Sequence, residues 1–425
     1  MRLANGSRVV IIGGGPAGSY TALHLLRIAA KNRLELNVTI LEARDFERRG
    51  PGGCNKCAGI LSSSHLINLE NFGLHLPSEL IQTELEAYVL HLGGQQLFLP
   101  KPDAKRRIVS IYRGSGPRLG APPYPRSFDG WLLDQACKAG TRVLRGRVQK
   151  VIPGPRPIVL TARDRYEAEL VVVATGVNSH APLIPAWGYR PPLTEVMAQD
   201  EVSLPGEALQ SKVHIFFSHP PGLIFGGLIP KGRFTNISLL GHGLSPDAVN
   251  EFLSGNEVNP LLLEELPGLC GCTPRVAVSP ASGYFADRMV VVGDAAVTRL
   301  YKDGIGSAFL TARAAAETAI GKGVSWGDFS RGYRPVCQDI AADNRYGRLL
   351  FRLWALPRRS PILMKAWQQA ILAERELPTQ SRVFARALWG MFTGDESYRK
   401  IFQLSFSPPA VHSLGKGLLA AWRGE

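Results

Sequence analysis

The first hydrophobic signal in the chain is Arg8-Val-Val-Ile-Ile-Gly, an apolar run too short for a helix and bounded by glycines. It predicts a short buried strand. A glycine turn follows, and Ala17–Ala30 has the period of a helix. Asn37-Val-Thr-Ile-Leu-Glu42 alternates and is β-branched, which predicts a second strand before a glycine-rich loop over 50–59. Residues 77–100 read as a strand pair around Gly93-Gly94. Pro100–Pro125 is basic and rich in Pro and Gly, and reads as a surface connector.

Further on, a helix fits Asp129–Ala139, with Gly140 as its stop. Strands are expected at 142–152, 156–161 and 167–174. The block 181–280 holds strand-like runs at Val213–Ser218, Leu223–Ile229 and Asn236–Leu240, and one helix near 246–255. Its apolar residues Phe216, Phe217, Leu223, Ile224 and Phe225 are able to line a long pocket. Met289-Val-Val-Val-Gly-Asp predicts another buried strand, Ser307–Ile320 an Ala-rich helix, and everything beyond 326 a basic, Trp-bearing helical region.

Two of these junctions carry chemistry. Gly13-Gly-Gly15-Pro-Ala-Gly18 is G-x-G-x-x-G between a strand and a helix, with acidic Glu42 ending the next strand. Gly13 permits a tight turn, Gly15 lets backbone approach a pyrophosphate, and Gly18 lets helix and strand pack closely. The helix N-terminus adds partial positive charge, and Glu42 suits the ribose hydroxyls. This fingerprint serves NAD and FAD alike. Near the other end, Val292-Gly293-Asp294-Ala295-Ala296 and Asp303-Gly304-Ile305-Gly306 precede a helix. That segment resembles the second FAD-binding motif of the flavoprotein group that includes aromatic hydroxylases and geranylgeranyl reductases.

More residues narrow the resemblance. Tyr124-Pro-Arg126-Ser-Phe128-Asp129-Gly-Trp131-Leu-Leu resembles the Arg-x-x-Phe-Asp-x-Trp-Leu helix of geranylgeranyl reductases. Gly53-Cys54-Asn-Lys-Cys57-Ala-Gly59 resembles their cysteine-bearing loop, and Val171-Val-Val-Ala-Thr175-Gly176 their middle flavin-domain strand. Over about residues 8–320 the chain is therefore similar to the geranylgeranyl reductase family of FAD-dependent oxidoreductases. The resemblance implies an α/β fold: a Rossmann-type FAD-binding domain with an inserted antiparallel-sheet substrate domain and a C-terminal helical region. The FAD domain is expected at 1–76, 105–180 and 281–325, the substrate domain at 77–104 and 181–280, and the helical region at 326–425. FAD contacts are expected from Gly13, Gly15, Ala17, Gly18, Glu42, Ala43, Cys57, Ala58, Arg126, Val148, Gly293, Asp294, Gly304, Ile305 and Gly306. Catalytic roles are expected for Cys54 and Cys57, and no metal site. The implied reaction is hydride transfer from reduced flavin N5 to a carbon–carbon double bond of a lipid-like, isoprenoid or quinone-type substrate. Ferredoxin and NAD(P)H are both open as electron donor.

The chain also departs from the pattern. Thr175-Gly176 stands where aromatic hydroxylases carry Asp-Gly. Phe225-Gly-Gly-Leu-Ile-Pro230 lacks two aromatics of the prenyl reductases' Tyr-x-Trp-x-Phe-Pro signature. An electron-transfer flavoprotein and, more weakly, a hydroxylase remain as alternatives. Cys54 and Cys57 have thiol-pair spacing. They allow separate flavin-side or structural roles, a redox pair, or a four-thiolate metal site with Cys270 and Cys272.

Composition changes the picture in one respect. Forty-nine Lys+Arg against 35 Asp+Glu give a net charge of +14. Such a surface favours anionic partners, and without a nucleic-acid module these are expected to be phosphate-bearing ligands, acidic proteins or anionic lipid. Six cysteines in 425 residues point to a reducing cytoplasmic setting and not a disulfide scaffold. Arg106, Arg107, Arg113 and Arg118 read as a basic connector. Trp354, Trp367, Trp389 and Trp422 among cations make peripheral contact with the inner face of a membrane an expectation for the tail.

Overall fold

The computed structural model describes residues 1–48, 57–114, 126–202, 209–245, 247–261, 269–357, 360–378 and 381–423. The chain forms two compact units. One comprises Met1–Asn55, Arg113–Glu195 and Arg275–Ala342, the other Lys56–Tyr112, Val196–Pro274 and Asp343–Glu425.

The first unit is built on a six-stranded sheet in the order Phe285–Ala286, Met289–Val291, Leu170–Val173, Ser7–Ile12, Leu36–Glu42, Arg142–Arg145. All neighbours run parallel except the first two. Parallel strands buried on both faces explain the continuous Val/Ile runs of the sequence. Ile12 lies beside Val173 on one side and Leu41 on the other, so the glycine loop leaves the sheet among adjacent strand ends. Helix Pro16–Lys31 packs on helix Gly304–Gly321, with Tyr20 meeting Phe309 edge-on at 5.1 Å between ring centroids. The expected strand over 142–152 is two strands, Arg142–Arg145 and Val148–Ile152, in different sheets. The polar break Arg145-Gly146-Arg147 separates them.

The second unit carries a mainly antiparallel sheet in the order Thr194–Val202, Phe234–Gly241, Leu223–Lys231, Lys212–Phe216, Ala87–Leu92, Gln95–Pro100. Its one parallel pair in that order is Lys212–Phe216 with Ala87–Leu92. Strand alternation, with a register shift between Leu223 and Phe225, divides the apolar residues expected to line one pocket. Phe216 and Leu223 enter one core cluster with Phe252, whereas Phe217 and Phe225 belong to another with Trp354 and Phe392. The supposed connector also holds a strand: Ile108, Val109 and Ile111 are fully buried, and Val109–Ile111 pairs with Ile60–Leu61 and Ile81–Glu84. The sequence reading likewise passed over helix Ser63–Asn71, whose N-cap Ser62 accepts from His65 N–H.

Helices Pro361–Ala373, Val383–Phe392, Tyr398–Ser405 and Pro408–Arg423 follow. Most tail tryptophans are core residues. Trp389 is fully buried 5.0 Å from Tyr88, and Trp354 and Trp367 meet edge-on, while Trp422 is 81% exposed. No described helix is long and apolar enough to cross a membrane.

Candidate functional site

In the first unit the chain leaves strand Ser7–Ile12 at Gly13, which has φ +103° and donates to Leu41 O at 2.9 Å. A Cβ on Gly13 would stand 2.6 Å from Ala174 O, and one on Gly18 would overlap Gly13 O. Only glycine lets strand, turn and helix approach this closely. Gly15 is the N-cap of helix Pro16–Lys31, which has neither a side-chain cap nor an acid in its first turn. Its amide end and positive dipole are left for an anion. Glu42 is buried beside this loop; its two oxygens accept from Gly14 N–H and Arg44 N–H, each at 2.6 Å. The adjacent Ala43 is exposed.

The second motif folds onto the first. Gly293, at φ +66°, donates to Thr311 Oγ1 at 3.0 Å, and a Cβ there would lie 2.7 Å from Ala17 Cβ. A Cβ on Gly304 would lie 3.4 Å from Asp294 Oδ1, placing that carboxylate at the start of helix Gly304–Gly321. Asp303, at φ +52°, accepts from Gly306 N–H at 3.2 Å and pairs with Arg299 at 2.8 Å. Gly304, Ile305 and Gly306 are thereby held as one helical turn.

An arginine assigned to the basic connector completes the site. Arg113 donates from Nε and Nη2 to the two oxygens of fully buried Asp129, at 3.0 and 2.8 Å. Ser127 Oγ donates to Arg113 O at 2.7 Å and accepts from Gly130 N–H at 3.1 Å, fixing the pair to helix Phe128–Lys138. A Cβ on Gly15 would have Asp129 Oδ2 at 3.8 Å and Arg113 Nη2 at 3.9 Å. Desolvation pushes the Asp294 carboxyl up, and the Arg113 guanidinium opposes that shift. Arg126, by contrast, is exposed just before the Ser127 cap, and its charge acts on Glu47. Arg106 is not part of a free basic face either, since it pairs with Glu396 at 2.9 Å. No sequence signal pointed to the Arg113–Asp129 pair, whose members stand 16 residues apart.

Val148 begins a strand of a separate three-stranded sheet, half-buried against the core of the first unit. Cys57 and Ala58 belong to the second unit, whereas Cys54 and Arg118 lie outside the described residues. Cys57 Sγ accepts from Gly59 N–H at 3.3 Å, and Cys57 O accepts from Lys231 Nζ at 3.3 Å. Lys231 is buried, with Glu201 Oε1 at 2.8 Å and the Tyr112 ring centroid at 4.7 Å. Asn236 Nδ2 donates to the same Glu201 oxygen at 3.4 Å. This polar centre was missed by the sequence reading, because its members come from four separated segments. Cys270 and Cys272 flank Gly271, whose N–H donates to Asp200 at 2.9 Å. His214 is hydrogen-bonded to His91 at 3.0 Å in the core.

Taken together, the parallel sheet, the uncapped glycine loop and the second glycine–aspartate turn give this chain the Rossmann-type fold of FAD-binding flavoproteins. No protein-family model matches the chain. It is 26% identical over 305 residues to digeranylgeranylglycerophospholipid reductase of Methanococcus vannielii, covering 68% of this chain and 70% of that protein. It is 24% identical over 317 residues to protein FixC of Escherichia coli K12, covering 70% and 68% respectively. Among solved structures, a geranylgeranyl bacteriochlorophyll reductase-like protein of Thermoplasma acidophilum superposes with a TM-score of 0.60 at 16% identity, covering 99% of this chain and 98% of that one. Halogenase PltM, solved in complex with FAD, gives 0.61 at 14% identity, covering 99% and 97%. The chain is thus similar to reductases of the geranylgeranyl type and shares the fold of FAD-dependent oxidoreductases.

Proposed function

We propose that this protein reduces a carbon–carbon double bond of a lipid-like substrate of the isoprenoid or quinone type. The observation that carries the reading is the convergence of Gly13–Gly18, Glu42, Arg113, Asp294 and Gly304–Gly306 in a chain similar to a digeranylgeranylglycerophospholipid reductase. FAD, once reduced, supplies a hydride to such a bond. The amide end of helix Pro16–Lys31 and the Arg113 guanidinium would neutralise its pyrophosphate. Glu42, fixed by two backbone N–H groups, would hold the adenosine ribose, and Asp294 the ribityl hydroxyls. The turn Gly304–Gly306 would present its amides to the flavin ring.

An isolated alkene accepts hydride poorly, so water exclusion and alignment matter. The second unit has apolar side chains for this, among them Leu90, Leu92, Phe217, Trp354, Met364 and Trp367, which close on a gap of about 10 Å³, no larger than one water. Gly227, where prenyl reductases carry an aromatic, would with a Cβ already be in van der Waals contact with Ile215 and Ile229, at 3.5 and 3.8 Å. Cys57 is the described thiol we assign to the substrate side, and Cys54 is assigned with it by sequence alone.

The test is anaerobic incubation of chemically reduced holoprotein with isoprenoid-chain phospholipids, read by mass spectrometry. The expected product has gained one hydrogen molecule per reduced bond. Flavin reoxidation by a quinone, with every lipid mass unchanged, would replace this reading with electron transfer.

A further inference from the structure

The last described helix, Pro408–Arg423, is divided sharply into a packed and an exposed side. Ala410 is 1% exposed, and Gly417 lies so close to helix Pro361–Ala373 that a Cβ would strike Ala366 O. These contacts fix which side faces the protein. On the outside stand Val411, Leu419 and Trp422, exposed by 55, 57 and 81%. With Gly415 they fall at i, i+4, i+8 and i+11, and so form one stripe along the helix. Exposed His412, Lys416 and Arg423 flank that stripe on one side. The helix contains no Asp or Glu.

Charge around the helix has the same sign. Residues 343–425 hold thirteen Lys/Arg against six Asp/Glu. Of those acids, Glu374 is buried against the Phe384 and Ala385 N–H groups, and Glu396 is buried against Arg106 and Lys400. Glu396 offsets Lys400, but neither acid pairs with a cation of helix Pro408–Arg423. An apolar stripe ending in a fully presented tryptophan, with cations at its edge, matches the interface of an anionic bilayer. The aromatic and aliphatic groups enter the headgroup boundary, and the cations meet lipid phosphate. An acidic protein groove would match the cations but gives no reason for 81% exposure of the largest apolar side chain.

We propose that helix Pro408–Arg423 docks the protein onto anionic membrane surfaces through Val411, Leu419 and Trp422, with Lys416 and Arg423 as the phosphate-facing charges. The inference rests on the tail alone and stands apart from the reaction assigned above.

Flotation of the full-length holoprotein tests it, using phosphatidylcholine vesicles with and without phosphatidylglycerol. Binding is expected to the anionic vesicles only and to weaken with salt. Lys416→Gln and Arg423→Gln should each lower partition about fivefold. The Leu419→Ser/Trp422→Ser variant should lose binding while keeping its flavin absorbance and far-ultraviolet dichroism. Failure of the wild type to float on anionic vesicles would overturn the proposal, as would undiminished binding by the double serine variant. A stripe that serves self-association, seen as a sedimenting dimer abolished by the same variant without any vesicle binding, would overturn it too.

Discussion

The two units hold their functional groups in opposite ways. In the first, the essential feature is the absence of side chains: Gly13, Gly18 and Gly293 each sit where a Cβ would meet neighbouring atoms closer than real Cβ atoms are found. The ligand would be met by backbone N–H groups and a helix end, and the polar side chains Glu42 and Arg113 are immobilised by two hydrogen bonds each. In the second unit, one long side chain does the joining. Lys231 spans Glu201, the Cys57 carbonyl and the Tyr112 ring, so a single buried charge ties together four segments. A backbone site is robust to most substitutions and intolerant of a few. A charge-centred site is exposed to the loss of any one partner.

The strongest blow to the first unit should be Gly18→Val. Its β-carbon collides with Gly13 O, so the strand–turn–helix junction must open. Flavin released by acid from the purified variant is expected to fall to near nothing. Retention of wild-type flavin would break the backbone half of the comparison.

In the second unit, Lys231→Met removes the ammonium and leaves Glu201 with a hydrogen bond from Asn236 but no cation. Stripping one partner from a buried ion pair costs about 3–5 kcal/mol, so urea denaturation should show a loss of that size. Flavin content should change little. A loss under 1 kcal/mol would mean that the centre is less dependent on charge than its burial suggests.

A further effect depends on pH. Burial lowers His65 to about 4, and burial with the nearby His91 and Lys212 lowers His214 to about 4. In the unfolded chain histidine titrates near 6.5, so between roughly pH 6.5 and 4 the unfolded state binds more protons. Stability is therefore lost as pH falls through that window, by about 1.4 kcal/mol per unit of pKa depression for each group. Urea titrations from pH 7 to 4.5 should show this slope, and His65→Gln should flatten it. A slope unchanged in the variant would assign the acid sensitivity to other groups.

What was legible in the sequence follows the same division. Gly13, Gly15, Gly18 and Glu42 have a fixed spacing because they occupy one strand–turn–helix–strand unit, and Gly293 to Gly306 do so as well. The buried parallel strands were legible as Val/Ile runs for the same local reason. Arg113–Asp129 and Lys231–Glu201 were not, since each pair is made by tertiary convergence and an arginine or lysine in a polar stretch looks solvated. Strand Val109–Ile111 was hidden between Arg106-Arg107 and Arg113, charges that are themselves paired or at the strand's end. The tail misled in another way: a tryptophan beside cations suggests an interface, yet Trp354, Trp367 and Trp389 pack inward and only the environment of Trp422 fits that expectation.

The contact between Gly293 and Ala17 joins segments that are almost three hundred residues apart, with only the Ala17 methyl between them, which has no rotamer to yield. Neither turn can be displaced without lifting the other, so the two form one opening unit in the sense used for amide exchange. Protons on the amides of 304–306 should then exchange at the pace set by 15–18, and a nucleotide fragment bound at the first turn would slow both. Early and late portions of the polypeptide thus become ordered together, and the nascent chain cannot complete its cofactor cradle until residue 293 has been made.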